Sequence, residues 1–227
     1  VSENDLKILH NAYYKNKNFF GRDKLYKIAK DNGANISRRA VMLWLKAQEL
    51  NQIYTQTRKN KVVQPTLLKE PYSQLAIDLM DLQKFKDDGK QYALVGSDLF
   101  SKKMYAVPLA NKEGPTVVKG MERLLSKVKG KVKSVRSDNG SEFIDKNFKD
   151  LLKRKKIKQV LSLPAKPWSN GGVERANGTL KRLIMKNMKM TGSNKWVGDL
   201  QTLVDNYNRA INDVIKISPV EAERQYL

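Results

Sequence analysis

Three carboxylates stand where metal-assisted chemistry would need them: Asp78 inside an alternating apolar run, Asp138 in a Ser-Asp-Asn-Gly turn, and Glu174 at the start of a helical pattern. An ionised side chain within a central strand is costly unless a partner or a cation compensates it. Three acids brought together would repel and raise one another's pKa values. Divalent cations resolve that conflict, and an all-oxygen donor set suits Mg²⁺ or Mn²⁺ rather than zinc. Two such ions can activate an attacking oxygen and stabilise a leaving one on opposite sides of a phosphodiester. Singly, each acid has a plainer use: Asp78 as a strand-end charge, Asp138 as a turn former, Glu174 as an acid favouring a helix N-terminus. Their combination and spacing point to the shared site. Asp81 is a rival for the first position, but period-two alternation sends it to the opposite face from Asp78.

The elements that must position these residues follow from periodicity. Leu75, Ile77 and Leu79 alternate with Ala76, Asp78 and Met80, which predicts a first strand. Asp88-Gly89 signals a turn, with further strands near 91–98 and 103–109. Val117, Met121, Leu124, Leu125 and Val128 share a helical face over 114–129. A short strand over 131–136, a helix near 141–155 burying Ile144, Phe148, Leu151 and Leu152, and a fifth strand near 157–161 come next. Residues 162–172, rich in Pro, Gly, Ser and Asn, predict a mobile loop that becomes ordered when DNA and metal bind. Helices resume near 172–190 and 194–213, the latter with Trp196, Leu200, Leu203, Val204, Tyr207 and Ile211 on one stripe. A meander followed by alternating helices and strands describes a mixed α/β sheet covered by helices.

Residues 1–58 read as helical, with Leu6, Leu9 and Tyr13, then Leu25, Ile28 and Ala29, at helical spacing and Gly21 and Gly33 as breaks. A third helix starts at Ser37 as its cap and buries Ala40, Leu43, Trp44 and Ala47. Arg38, Arg39 and Lys46 are then left outside. That suits a helix-turn-helix-like all-α domain whose last helix enters a major groove, although such charges also serve as a solvated face. Residues 59–71, with Pro65 and Pro71, read as a linker, and 72–227 as the main domain.

Composition narrows the partner. Lys and Arg number 44 against 23 Asp and Glu, a formal charge of +21. Such an excess favours a polyanion, and nucleic acid fits better than membrane because no long uncharged apolar run exists. With no cysteine and a single histidine, His10, disulfides, thiolate zinc sites and cysteine nucleophiles are excluded. No signal peptide is visible, so an intracellular protein is expected. The run Lys153-Arg154-Lys155-Lys156 reads as the solvated end of a helix, with a nuclear import signal as the alternative.

The motifs IDLMDL (77–82), SDLFSK (97–102), SDNGSEF (137–143) and NGGVERANGTLK (170–181) together resemble the cores of retroviral and retrotransposon integrases, DDE recombinases with a ribonuclease H-like fold. Between Asp138 and Glu174 lie 35 residues, the interval that names the family's D,D(35)E signature. SPVEA (218–222) resembles the end of such a core. In overall appearance the chain looks most like integrases of Maverick/Polinton elements and virophages. The resemblance implies a five-stranded mixed sheet flanked by helices. It also implies two Mg²⁺ (or Mn²⁺) ions, with Asp78 bridging both and Asp138 and Glu174 holding one each. By position Asn177 and Lys181 match DNA contacts, while Gly178 departs from a frequent lysine and Asp98 is structural. The zinc-binding N-terminal module of retroviral relatives has no equivalent among these residues, and with no basic β-barrel or chromodomain-like segment after Leu227 the chain is expected to be shorter than the full protein.

The expected activity is DNA 3′-end processing and strand transfer, in the host nucleus or a virus particle, by a dimer or tetramer acting on element and target DNA. No membrane or small-molecule substrate is expected. Two alternatives stand beside it: a ribonuclease H-type nuclease, and a non-catalytic DNA-binding protein derived from an integrase.

Overall fold

The computed structural model describes residues 1–54, 68–162 and 171–226. Most of the expected linker and residues 163–170 of the expected loop lie outside them. Five strands form one sheet: β1 (Leu75–Asp81), β2 (Tyr92–Asp98), β3 (Met104–Leu109), β4 (Ser134–Ser137) and β5 (Lys158–Leu161). Their order is β3-β2-β1-β4-β5, with β1–β2 and β2–β3 antiparallel and β1–β4 and β4–β5 parallel. The mixed sheet expected from the pattern is therefore present, with the Asp78 strand at its centre. The β1–β2 connection turns at Asp88 (φ 45°) and Gly89 (φ 67°), and two successive positive φ angles are what a tight hairpin turn demands.

Both faces of β1 are covered, and the alternation decides by what. Leu75 and Ile77 join Leu94 and Val107 beneath α5 (Gly114–Ser126) and α7 (Lys146–Arg154). On the other face Met80, Ala93, Val95, Met104 and Ala106 pack with α8 (Gly171–Thr191) and α9 (Leu200–Arg209). Leu180, Leu183 and Ile184 of α8 are almost wholly buried there, and each such side chain contributes roughly 1.5–3 kcal/mol by leaving water. Trp196 leads into α9, its backbone N–H donating to Asp87 (2.7 Å) and its indole N–H to the Phe85 carbonyl (2.8 Å).

The N-terminal segment forms α1 (Glu3–His10), α2 (Arg22–Asp31), α3 (Arg38–Ala47) and α4 (Glu49–Tyr54), with a π-helical turn over Asn11–Lys15 after α1. Ser37 caps α3, its hydroxyl accepting from the Ala40 N–H at 3.2 Å. Leu9, Tyr13, Leu25, Val41 and Leu45 belong to the same apolar cluster as α8 and α9. The buried Lys186 of α8 reinforces that join, donating to the Tyr13 hydroxyl (3.0 Å) and the Phe19 carbonyl (3.3 Å).

Several sequence expectations need correction. Helix α3 buries Val41 and Leu45, whereas Leu43 is 55% exposed and Ala47 is exposed. The run RRAVMLWLKA is apolar almost all round, so periodicity alone leaves the buried face undetermined. A fourth helix follows because Gln48 takes extended angles (φ −82°, ψ 123°) and interrupts α3. The helix expected near 141–155 is two: α6 (Ser141–Ile144), then α7, separated by Asp145, whose carboxylate accepts from the Asn147 N–H at 2.8 Å. That break turns Ile144 outward (43% exposed) and leaves Phe143 in the core. Helix α9 is shorter than expected, and Trp196 precedes it.

At the far end of the chain, α10 (Pro219–Arg224) is fixed by Glu223, only 2% exposed. Its carboxylate accepts from the Tyr72 hydroxyl, the Lys103 ammonium and, at 3.4 Å, the Tyr105 hydroxyl. Asp98, expected to be structural, is fully buried and accepts from the Tyr72 and Ser101 N–H groups and the Ser101 hydroxyl.

Candidate active site

Asp78 lies opposite Val95 of β2, and the parallel ladder on its other side pairs Ala76 with Arg136. Continuing that register two residues brings Asp78 level with Asp138, at the point where β1 and β4 stop bonding and their ends can part. Carboxyl ends of neighbouring strands at a change of strand direction are where open α/β sheets form their sites. Glu174 stands in the first turn of α8, on the sheet face that alternation assigns to Asp78.

Hydrogen bonds fix Asp78 more tightly than its neighbours. One carboxylate oxygen accepts from the Leu79 N–H (2.8 Å) and the other from the Asn177 amide (2.7 Å). Burial pushes its pKa up to about 6; the charges of Asp138 and Glu174 push the same way, and the two hydrogen bonds oppose them. Asp138 and Glu174 are exposed, and Asp138 accepts from the Gly140 N–H at 3.0 Å. Asp78 thus feels the charge of both other acids. Among the described residues, however, no three acidic or histidine side chains close into a metal-coordinating cluster. The two observations agree physically, since uncompensated carboxylates spread apart until a cation draws them together. Asn177 adds a fourth oxygen: its Oδ1 is buried without a hydrogen-bond partner beside Asp78. Asp81 is exposed at the strand end and accepts from the Gln83 N–H (2.9 Å) and side-chain amide (2.9 Å), a turn-capping use.

The other candidate residues fall on separate surfaces. Lys181 is exposed on α8, two turns beyond Glu174 and on the same helical face as Asn177. On α3, Arg39 and Lys46 are exposed, whereas the Arg38 guanidinium sits 4.4 Å over the Tyr26 ring and 3.8 Å from Asp23. Sequence reasoning missed that Asn177 holds Asp78, because nothing in a linear motif shows which strand residue a helix will meet. It also missed a second polar stripe on α8, Arg175, Thr179, Arg182 and Lys186, although spacings of four, three and four residues were there to be read.

Residues 69–167 match the family model for the integrase core domain. Residues 69–167 thus resemble an integrase core. The match spans the strands bearing Asp78 and Asp138 and stops before Glu174. A transposon-derived protein of Caenorhabditis elegans is 30% identical over 145 residues, covering 64% of this chain and 50% of that protein. The Gag-Pro-Pol polyprotein of squirrel monkey retrovirus is 34% identical over 110 residues, 48% of this chain but 6% of the polyprotein. The chain thus spans half or less of the length of these relatives. Among solved structures, an intasome of simian T-cell lymphotropic virus in complex with PP2A regulatory subunit B56 gamma superposes with a TM-score of 0.64 at 16% identity, covering 90% of this chain and 71% of that one. The catalytic core domain of BIV integrase gives 0.55 at 19% identity, covering 68% of this chain and 95% of that one. These likenesses identify the sheet as a ribonuclease H-like sheet of the kind found in integrase cores. They do not bear on the finer likeness to Maverick/Polinton and virophage integrases. Among the described residues no helix is long and apolar enough to cross a membrane.

Proposed function

We propose that this integrase core carries out 3′-end processing and strand transfer of mobile-element or viral DNA, using Asp78, Asp138 and Glu174. The observation that carries the reading is the electrostatic influence on a half-buried strand carboxylate of two exposed ones from a neighbouring strand end and a helix. The donor set fits hard divalent cations: three carboxylates, plus a buried Asn177 oxygen that lacks a partner. When bound, two Mg²⁺ or Mn²⁺ ions would supply Lewis-acid stabilisation of charge on the reacting phosphate.

The chain's own residues have distinct duties in this scheme. The Asn177 amide, bonded to one oxygen of Asp78, sets the orientation of that carboxylate. Glu174 and Asp138, being exposed, meet the DNA from either side of the strand end. Lys181, on the Glu174 face of α8, neutralises a phosphate of the bound strand. Processing and joining are both in-line displacements at phosphorus, the first by water and the second by the freed 3′-hydroxyl, so one site serves both.

The wider reading is that residues 1–58 assist DNA binding through Arg38, Arg39 and Lys46, that 59–71 link them to the core, and that the active form is a dimer or tetramer. Its setting would be the host nucleus or a virus particle. The retroviral intasome neighbour supports assembly on DNA.

The test uses terminal-repeat DNA, Mg²⁺ and the variants Asp78→Asn, Asp138→Asn and Glu174→Gln. Each should lose both cleavage and joining by at least about a thousandfold with an unchanged circular dichroism spectrum. Near-normal activity in any one would break the triad. Cleavage of RNA–DNA hybrids with no joining would favour a ribonuclease H-type nuclease.

A further inference from the structure

A cleft of about 740 Å³ opens on the flank of α8, between that helix and the N-terminal segment, and it is separate from the carboxylate site. Successive α-helical residues advance by about 100°, so the stripe Arg175, Thr179, Arg182 and Lys186 is turned roughly a third of the way round the helix from Glu174, Asn177 and Lys181. Lys102, from the β2–β3 turn, lines the same cleft. Among the described residues, none of Arg175, Arg182, Lys186 and Lys102 has a carboxylate within ion-pair distance. Their hydrogen bonds go to uncharged groups: Arg175 to the Gly171 carbonyl (2.9 Å), Arg182 to the Gly178 carbonyl (3.2 Å) and the Thr179 hydroxyl (3.4 Å), Lys186 to Tyr13 and Phe19, and Lys102 to the Leu99 carbonyl. They also crowd one another, Arg175 against Lys102, where the Asp98 charge partly offsets the effect, and Arg182 against Lys186.

Two acids line the cleft and offset other cations. Asp23 pairs with Arg22, and Asp213 acts on Lys24. A concave surface holding two crowded pairs of cations is stabilised by an anion that bridges them. Tyr54 and Tyr207, both half-buried, line it as well. Cations interleaved with aromatic rings hold unpaired nucleotides, with backbone on the charges and bases on the rings. The volume is that of a small-ligand site, and a duplex is too wide to enter it.

We propose that this cleft binds an unpaired DNA strand by its phosphates, on the opposite flank of α8 from the strand that reaches Asp78. The inference rests on the reading of the chain as a DNA-processing enzyme. Gly172 lines the cleft and Glu174 is two residues on, so a strand held there lies one helix width from the reacting phosphate. A duplex end whose strands part across α8 would thereby be kept open while one strand is cut or joined.

The test is equilibrium binding by fluorescence anisotropy in EDTA, with no reaction read out. The probes are a blunt duplex and the same duplex carrying a short single-stranded tail, and the competitor is inorganic tripolyphosphate. The parent should bind the tailed duplex about tenfold more tightly than the blunt one. Arg175→Gln and Arg182→Gln should each remove most of that preference, shift blunt-duplex affinity less than threefold, and lower the tailed-duplex salt slope by about 0.7 per lost phosphate contact. The uncharged Gln variants avoid adding an acid to the buried flank, and a melting curve within a few degrees of the parent's confirms that they fold. Lys181→Ala, on the other face, should weaken both probes and keep the preference. No tail preference in the parent, or equal losses on both probes, overturns the proposal. Tripolyphosphate displacing blunt and tailed DNA alike overturns it in favour of a general polyanion site; selective loss of the tail advantage supports it. Failure here leaves the integrase reading standing, because joining by the Asp78 site is measured separately.

Discussion

Asp78 concentrates the cost of the site in one side chain. Its pKa is raised above 3.8 to about 6, first by burial, so the folded chain holds the proton more tightly than the unfolded chain. Stability of the metal-free protein should therefore fall as pH rises from 3.8 to about 6, and the penalty should persist at higher pH. Asp78→Asn should remove this dependence and stabilise the metal-free protein at pH 7 by about 1–3 kcal/mol, measured by urea denaturation in EDTA across that range. A variant less stable than its parent at pH 7 would mean that the charge is already compensated within the chain. Under the proposed function the same variant is inactive, as expected of an acid kept for chemistry against the interest of the fold. The identity and spacing of the three acids were legible in the sequence, since types, turns and the 35-residue interval are linear properties. The support of Asn177 was not, because it joins residues 99 positions apart.

Helix α8 is the element on which the proposed function rests most, and its start is tightly packed. A Cβ on Gly172 would stand 2.5 Å from a Leu99 methyl, whereas one on Gly171 would meet nothing within 4 Å. Leu99 is itself packed with Ala76 and Val173, so Gly172→Ala must move it or lift the first turn that bears Glu174. We expect Gly171→Ala to leave stability within about 1 kcal/mol of the parent and joining nearly unchanged. Gly172→Ala should lower single-turnover joining at least about tenfold while DNA affinity changes little, since a misplaced carboxylate loses transition-state stabilisation rather than phosphate contacts. Equal effects of the two substitutions on joining would show that the helix start does not set Glu174. At this scale the strands, the Asp88-Gly89 turn and the Ser37 cap were legible because each depends on local pattern. The buried face of α3 and the break at Asp145 were not, because which neighbour covers a helix, and whether a side chain caps in mid-run, are decided by tertiary packing.

The whole molecule is organised around a shared apolar cluster and a large positive charge. Because Leu9, Tyr13, Leu25, Val41 and Leu45 cluster with Leu183, Ile184 and Trp196, the N-terminal helices shield α8 as well as whatever they bind. A chain beginning at residue 68 should expose this surface, bind a hydrophobic dye in its native state and melt at least about 5 °C lower than the whole chain. Unchanged melting and no dye binding would show the cluster to be dispensable. For the proposed DNA partner, the charge of +21 makes affinity a counterion-release problem, so the logarithm of the binding constant should fall linearly with that of salt. A flat salt response would remove phosphate contacts from the account altogether.

Time enters through Glu223. Its carboxylate joins α10 to Tyr72, Lys103 and Tyr105, residues made more than a hundred positions earlier. During synthesis those three groups must wait, with Lys103 and the two tyrosines unanchored, until almost the entire core has emerged. A bond available only once α10 has been made favours the last step of the core's folding over the first. Glu223→Gln should accordingly speed unfolding far more than it slows refolding in stopped-flow denaturant jumps, at a total cost of roughly 3–5 kcal/mol for a broken buried pair. Such a contact acts as a latch that closes late and opens slowly, giving the assembled core a lifetime beyond what its sheet alone would set.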